Sequence, residues 1–154
     1  SFDVFPTPLG CLAMPVCMDA SYFETFRLLE SHGAEIVMVP IANPEPCYNF
    51  WTALRGIWSR VQESTVYGIK SALIGKMLGF TLTGKAGVYA PLELSPERDG
   101  VLSEAPCSGS GALVTAVLDL EALQKLKKNH PYLGDKNPAF TRKYFPSIYS
   151  DNRI

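Results

Sequence analysis

"GCLAMPVCMDASYFETFRLLESHGAEIVMVP", residues 10–40, sets the architecture because its hydrophobic period changes twice. "CLAMPVC" reads as a short buried strand ending at Cys17. Asp19 or Ser21 then offers a helix N-cap. Tyr22, Phe26 and Leu29 recur at i, i+4 and i+7, the spacing of an amphipathic helix. His32-Gly33 closes that helix, with Gly33 suited to a left-handed C′ position. "EIVMVP" follows, with four consecutive apolar residues before Pro40, as expected of a strand covered on both faces. Strand, helix and strand with short links make a βαβ unit, which crosses over right-handed.

Beyond this unit, "PIANPEPCYN" holds three prolines and reads as a loop. A second helix is expected over 49–65, with Phe50, Leu54, Ile57, Trp58 and Val61 as its apolar stripe. "VYGIKSALI" and "GKAGVYAPLEL" read as strands, "SPERDG" as a turn and "GALVTAVLDL" as a further strand. Asp119 caps a short helix, "LEALQKLKKNH", stopped by Pro131. The segment 132–154 mixes aromatics, prolines and charges and reads as an extended tail, which makes 1–131 the folded domain. The predicted class is α/β, with two long helices on one face of a sheet. The strands are apolar on both faces, so the other face needs a layer for which no element is left in the chain.

The bulk numbers exclude several functions. A chain of 154 residues with 47 % hydrophobic and 19 % charged residues can build a core. A net charge of −1 with no basic block gives no footprint for nucleic acid. No apolar run approaches the roughly 20 residues of a membrane span, and "SFDVFPTPLG" reads as no signal peptide. The four cysteines form no CxxC pair, and with His32 and His130 they give no zinc-ligand spacing. Scattered cysteines beside a good core point to a reducing compartment, the cytoplasm. The chain lacks an initiator Met and is expected to be part of a longer polypeptide.

Cys17 carries two readings. A thiol at a strand's C-terminal end, just before a helix, stands where ligands and nucleophiles gather and where helix amides lower a thiol pKa. A free Cys is also a common small core residue. "GFTLTGKA", residues 79–86, nearly matches a phosphate-binding loop. Ala86 replaces the hydroxyl, and strand follows where a helix is needed, so it reads as a glycine-rich turn. "CSGSGA" lacks the first glycine of a serine elbow. Trp51 and Trp58, at i and i+7, read as packing first and as a subunit interface second. His130 reads as a helix-end residue.

Taken in order, several stretches resemble the C-terminal half of the carbon–nitrogen hydrolase (nitrilase/amidase) superfamily. Gly10 leads "CLAMPVCMDASYFE", with Cys17, Asp19 and Glu24 at the positions of that family's nucleophile motif. "GAEIVMVP" stands where the family has G-A-D, apolar residues and Pro. "WTAL" and "RVQES", with Arg60 and Glu63, resemble its W-x-x-L and R-A-x-E-N helix. "TGKAGVYAPLE" and "ALVTAVLDLEALQKLKKNHP" resemble its later segments, so the likeness spans about residues 5–140. Phe23 replaces the usual Pro, Ser64 the usual Asn, and Lys85 and Ala86 blur a G-x-S.

The resemblance implies half of an αββα four-layer sandwich and a thiol hydrolase of non-peptide C–N bonds. Its nucleophile is Cys17, and its oxyanion donor is the backbone N–H of Met18. Asn43 reaches substrate, while Asp19, Glu24, Arg60 and Glu63 support the site, with Asp19 paired to a basic group. "C-M-D" after the strand suits an amide or N-carbamoyl substrate over a nitrile. No metal or cofactor is implied. The family's Glu and Lys lie upstream of the Cys and fall outside these residues. Homo-oligomers through the 20–32 and 49–65 helices and the tail are expected. The alternative is a non-catalytic fragment acting as an assembly module.

Overall fold

The computed structural model describes residues 2–42, 56–106, 111–130 and 137–150. The chain divides into two compact units, residues 1–123 and 124–154.

The first unit is built on a sheet of six strands in the order β1-β2-β3-β4-β7-β8. These are β1 (Phe5–Thr7), β2 (Gly10–Ala13), β3 (Ile36–Ile41), β4 (Tyr67–Ala72), β7 (Gly87–Tyr89) and β8 (Val101–Glu104). β5 (Ile74–Met77) and β6 (Phe80–Thr83) form a separate two-stranded hairpin. β2, β3 and β4 run parallel, with Ala13 opposite Val37 and Ile41 opposite Ala72. The outer pairs β1–β2, β4–β7 and β7–β8 are antiparallel. The predicted βαβ unit is therefore present as two adjacent parallel strands joined by a helix.

That helix, α1 (Phe23–Ser31), buries Thr25, Phe26 and Leu29. Gly33 ends it at φ 92°, donating its N–H to Glu30 O while Ala34 N–H bonds Leu29 O. This is the paired closure of a Schellman motif, as Gly33 predicts. The N-cap is Tyr22, not Asp19 or Ser21, because residues Cys17–Ser21 are taken up in a 3-10 turn of their own.

α2 (Ile57–Ser64) places Ile57 and Val61 on the sheet directly above Gly68. A Cβ at Gly68 would lie 2.5 Å from Val61 Cγ2 and 2.8 Å from Ile57 Cγ2, so glycine there sets the helix-to-sheet distance. The indole Nε1 of Trp58 donates to Asp99 O at 2.7 Å. Gln62 Nε2 donates to Ala90 O at 2.9 Å, and Gln62 Oε1 accepts from Leu92 N–H. These bonds fasten α2 to the β7–β8 connection. The part of the predicted 49–65 helix before Gly56, including Phe50, Trp51 and Leu54, lies outside the described residues, as does Asn43.

α1 and α2 cover one face, where Phe26, Leu29, Ile57 and Val61 meet Ala13, Val37, Val39 and Tyr89. The predicted mixed α/β class, with α1 and α2 on one face, is observed. The opposite face, expected to receive nothing from this chain, does receive Leu118, Leu120 and Leu123, which pack with Ile36 and Tyr67. Tyr67 Oη donates to Asp119 O at 3.0 Å and ties that segment down. Met38, Ile69 and Leu102 on the same face remain half-buried.

Other expectations are corrected. β2 stops at Ala13 and not at Cys17, because Pro15 has no N–H for a ladder. "VYGIKSALI" is split into β4 and β5 at Leu73. "PLEL" is a 3-10 turn over Leu92–Leu94. Residues 111–119 are mostly apolar yet form no strand; Leu113 and Val117 are 90 % and 91 % exposed. An apolar run alone does not supply a neighbouring strand to pair with. β6 and β8 form where the sequence pattern predicts no strand.

In the second unit, α3 (Leu120–Asn129), whose first turn belongs to the first unit, confirms the helix expected after Asp119, whose carboxylate accepts from Ala122 N–H at 2.8 Å. The tail expected to be extended is helical over α4 (Pro138–Ser150), capped by Asn137 through Phe140 N–H. Phe140 and Tyr144, one turn apart, bring their rings to 4.8 Å.

Candidate active site

The C-terminal ends of β2, β3 and β4 lie along one edge of the sheet, because the three strands are parallel. Binding and catalytic groups of α/β sheets collect at such an edge. Past β2 the chain runs through Met14, Pro15 and Val16 and turns sharply at Cys17. Cys17 is half-buried with φ 49°, a left-handed conformation costly for a residue with a Cβ. A backbone held there against its preference marks a position that the surroundings over-determine.

The turn is closed from both sides. Asp19 N–H donates to Val16 O at 3.0 Å, and Asp19 Oδ2 accepts from Val16 N–H at 3.3 Å. Ala20 is buried in the helix-side core and anchors the turn against β3, α1 and α2. Among the described residues no basic group pairs with Asp19; its partner is the backbone on the far side of Cys17. Met18 exposes its side chain, and its N–H is one of the first amides of the 3-10 turn, which have no partner within the turn. The structure thus brings together Cys17, Met18 and Asp19.

Glu24 is half-buried in the first turn of α1, where a carboxylate favours the helix dipole. Arg60 and Glu63 pair with each other on α2 at 3.3 Å, with Arg60 only 13 % exposed and Glu63 at 50 %. Arg60 Nε is buried with no hydrogen-bond partner among the described residues.

Two further groups at this edge escape the sequence reading. The first is Lys85, whose Nζ meets Glu104 Oε2, while Glu104 Oε1 accepts from Tyr89 Oη at 2.9 Å. Gly87 leaves space for that phenol, since a Cβ there would lie 2.5 Å from Tyr89 Oη. Lys85 precedes β7 and Glu104 ends β8, so recognising the pair requires knowing that these segments are neighbours. The second is an apolar cavity of about 260 Å³ lined by Ala42, Met77, Leu78, Phe80 and Leu82. The hairpin turn is Leu78-Gly79, with φ 51° and 83°, and it shapes one wall; the glycine-rich turn expected over residues 79–86 is instead largely strand β6, because Phe80–Thr83 pair with Ile74–Met77.

At the opposite end of β4, burial raises the pKa of the Tyr67 phenol above its ordinary value. The hydrogen bond to the Asp119 carbonyl opposes that shift, and the Asp119 charge adds to it. Among the described residues no three His, Cys, Asp or Glu side chains are grouped to hold a metal. No described helix is long and apolar enough to cross a membrane.

No family model and no curated protein matches the chain. Solved structures do. A carbon–nitrogen hydrolase from Helicobacter pylori superposes with a TM-score of 0.73 at 22 % identity, over 94 % of this chain and 52 % of that one. An amidase from Nesterenkonia sp., carrying the acetamide moiety of fluoroacetamide covalently at its active-site cysteine, superposes with a TM-score of 0.67 at 20 % identity, over 93 % and 47 %. A variant of the Nesterenkonia amidase, assigned to the nitrilase superfamily, gives 0.65 at 20 % identity. The chain spans about half the length of these proteins. Over that span it has the fold of the carbon–nitrogen hydrolases and nitrilase-superfamily amidases.

Proposed function

We propose that this chain carries the nucleophile of a thiol-dependent hydrolase of non-peptide carbon–nitrogen bonds, acting on an amide or N-carbamoyl substrate. The observation that carries the reading is Cys17 at φ 49°, heading a closed turn at the sheet edge, within a fold shared with amidases. In this reading a general base takes the thiol proton and the Cys17 sulfur attacks the carbonyl carbon. The oxyanion accepts from the Met18 N–H. Collapse breaks the C–N bond, the amine leaves with a proton, and water hydrolyses the thioester. The base, a Glu, and a Lys that steadies the tetrahedral intermediate come from the other half of the fold, in the same polypeptide or in a second chain. Asn43 contacts substrate, and Arg60 and Glu63 stiffen the helix beside the turn. The protein works in the cytoplasm as a homo-oligomer joined through α1, α2 and the C-terminal segment.

The test is hydrolysis of simple amides by the full-length protein and by Cys17→Ala. Complete loss in the variant supports the reading, and retained turnover removes Cys17 from the mechanism. A second reading, a non-catalytic assembly module, draws on the exposed apolar side chains of Leu113 and Val117. Its signature is an unreactive Cys17 in a protein that still assembles.

A further inference from the structure

We infer that the apolar cavity beside the β5–β6 hairpin is a selectivity pocket that receives an apolar arm of the substrate. This rests on the hydrolase reading and names the substrate class more closely: amides with an acyl chain of several carbons or an aryl-alkyl group.

Topology brings the cavity and the thiol to one edge. Ala42 follows β3, and the hairpin rises directly from the end of β4, with Leu73 N–H donating to Ile41 O. Gly84 lets the feet of the hairpin close, since a Cβ there would lie 2.6 Å from Ala72 Cβ. β3 separates β4 from β2, and β2 leads to Cys17. Neighbouring strands are about 5 Å apart, so the hairpin stands roughly 10 Å along the edge from the strand that carries the thiol. An acetyl or butyryl group is too short for that distance, and a longer acyl or aryl-alkyl chain approaches it.

The walls select the chemistry. Ala42, Met77, Leu78, Phe80 and Leu82 present no ionisable or hydrogen-bonding side chain. Leu82 is buried and forms the floor, while Phe80 and Leu78 stand out at 62 % and 88 % exposure. Large apolar side chains on a projecting two-stranded hairpin are unfavourable in water unless something covers them. The volume, about 260 Å³, exceeds the roughly 150 Å³ of an engineered apolar cavity that binds benzene. A phenyl ring or a chain of several carbons therefore fits, and a charged or strongly hydrated arm loses its water without recompense.

The experiment compares kcat/KM of the full-length protein for acetamide, butyramide, hexanamide and phenylacetamide. Once the chain is long enough to enter the cavity, each further CH2 buried is expected to raise kcat/KM about fourfold until the cavity is full. Phe80→Ala and Met77→Ala should each lower the hexanamide-to-acetamide ratio about tenfold, while Lys76→Ala, on the same hairpin but outside the cavity, keeps it. A flat series, or an unchanged ratio in both cavity variants, overturns the inference. So does a change in oligomeric state with the ratio intact, since the hairpin is then a packing surface. Calorimetric binding to Cys17→Ala separates this from the hydrolase reading. Should no amide be turned over, hexanamide that still binds more tightly than acetamide, with the preference lost in Phe80→Ala, upholds the pocket while the hydrolase reading falls. Equal weak binding of both overturns the pocket.

Discussion

The carboxylate of Asp19 accepts the backbone N–H of Val16 at 3.3 Å while its own N–H donates to Val16 O, so the two residues grip the chain on either side of Cys17. This reciprocal pair holds the thiol in a conformation that its backbone does not favour.

Asp19→Ala removes the side-chain half of the grip. Loss of a comparable capping bond costs about 1 kcal/mol of stability, which thermal denaturation will read as a shift of a few degrees. The effect on kcat is expected to be larger, about tenfold or more, because a reacting atom misplaced by about 1 Å loses far more rate than stability. Asp19→Asn keeps an acceptor for Val16 and should recover most of the rate. Equal rates for Asp19→Ala and the parent protein would show that the grip does not position the sulfur.

Cys17 at φ 49° predicts an inverted order of stability for its replacements. A residue with a Cβ pays about 1–2 kcal/mol in the left-handed region, and glycine does not. Cys17→Gly should therefore unfold at higher urea than Cys17→Ala, although both are inactive. If Cys17→Ala proves the more stable, the turn is not strained.

Lys85 and Glu104 are 14 % and 16 % exposed, and Tyr89 completes their network. Lys85→Met leaves the carboxylate without its cation in a largely buried place, a change that costs about 3 kcal/mol. The double variant Lys85→Met with Glu104→Leu removes both charges and should regain most of that loss. Chemical denaturation of the two variants checks this, and additive losses would refute a coupled pair.

Tyr67 gives a pH dependence. Its phenol pKa is higher folded than unfolded, chiefly through desolvation by burial, so the folded state favours the neutral form. The resulting contribution is fully present below the unfolded pKa of about 10 and is lost as pH rises through the folded value. Urea unfolding from pH 8 upward should show stability falling above pH 10 more steeply in the parent than in Tyr67→Phe. Parallel profiles would assign the alkaline loss to other groups.

Much of the helix-bearing face was legible. Phe26, Leu29 and Gly33 announced α1 and its end, Val37 and Val39 the buried strand beside it, and Ile57 and Val61 the stripe of α2. Local periodicity and capping chemistry decide such elements, and both are written in consecutive residues. β8 and the 111–119 segment were misjudged for the opposite reason. Val101–Glu104 becomes a strand because β7 lies beside it, and 111–119 does not because it has no strand to pair with among the described residues. The candidate site divides in the same way. Cys17 and Asp19 share one turn and could be singled out from the chain alone.

Consecutive residues suffice for the βαβ unit, the helix-covered face of the sheet and the thiol at its edge, since each follows from spacing over a few turns or strand repeats. The left-handed backbone at Cys17, the Val16 partner of Asp19, the Lys85–Glu104–Tyr89 network and the hairpin cavity emerge only once the chain is folded. These depend on which distant segments the sheet makes neighbours, and strand order is a property of the whole chain's packing that no local pattern encodes.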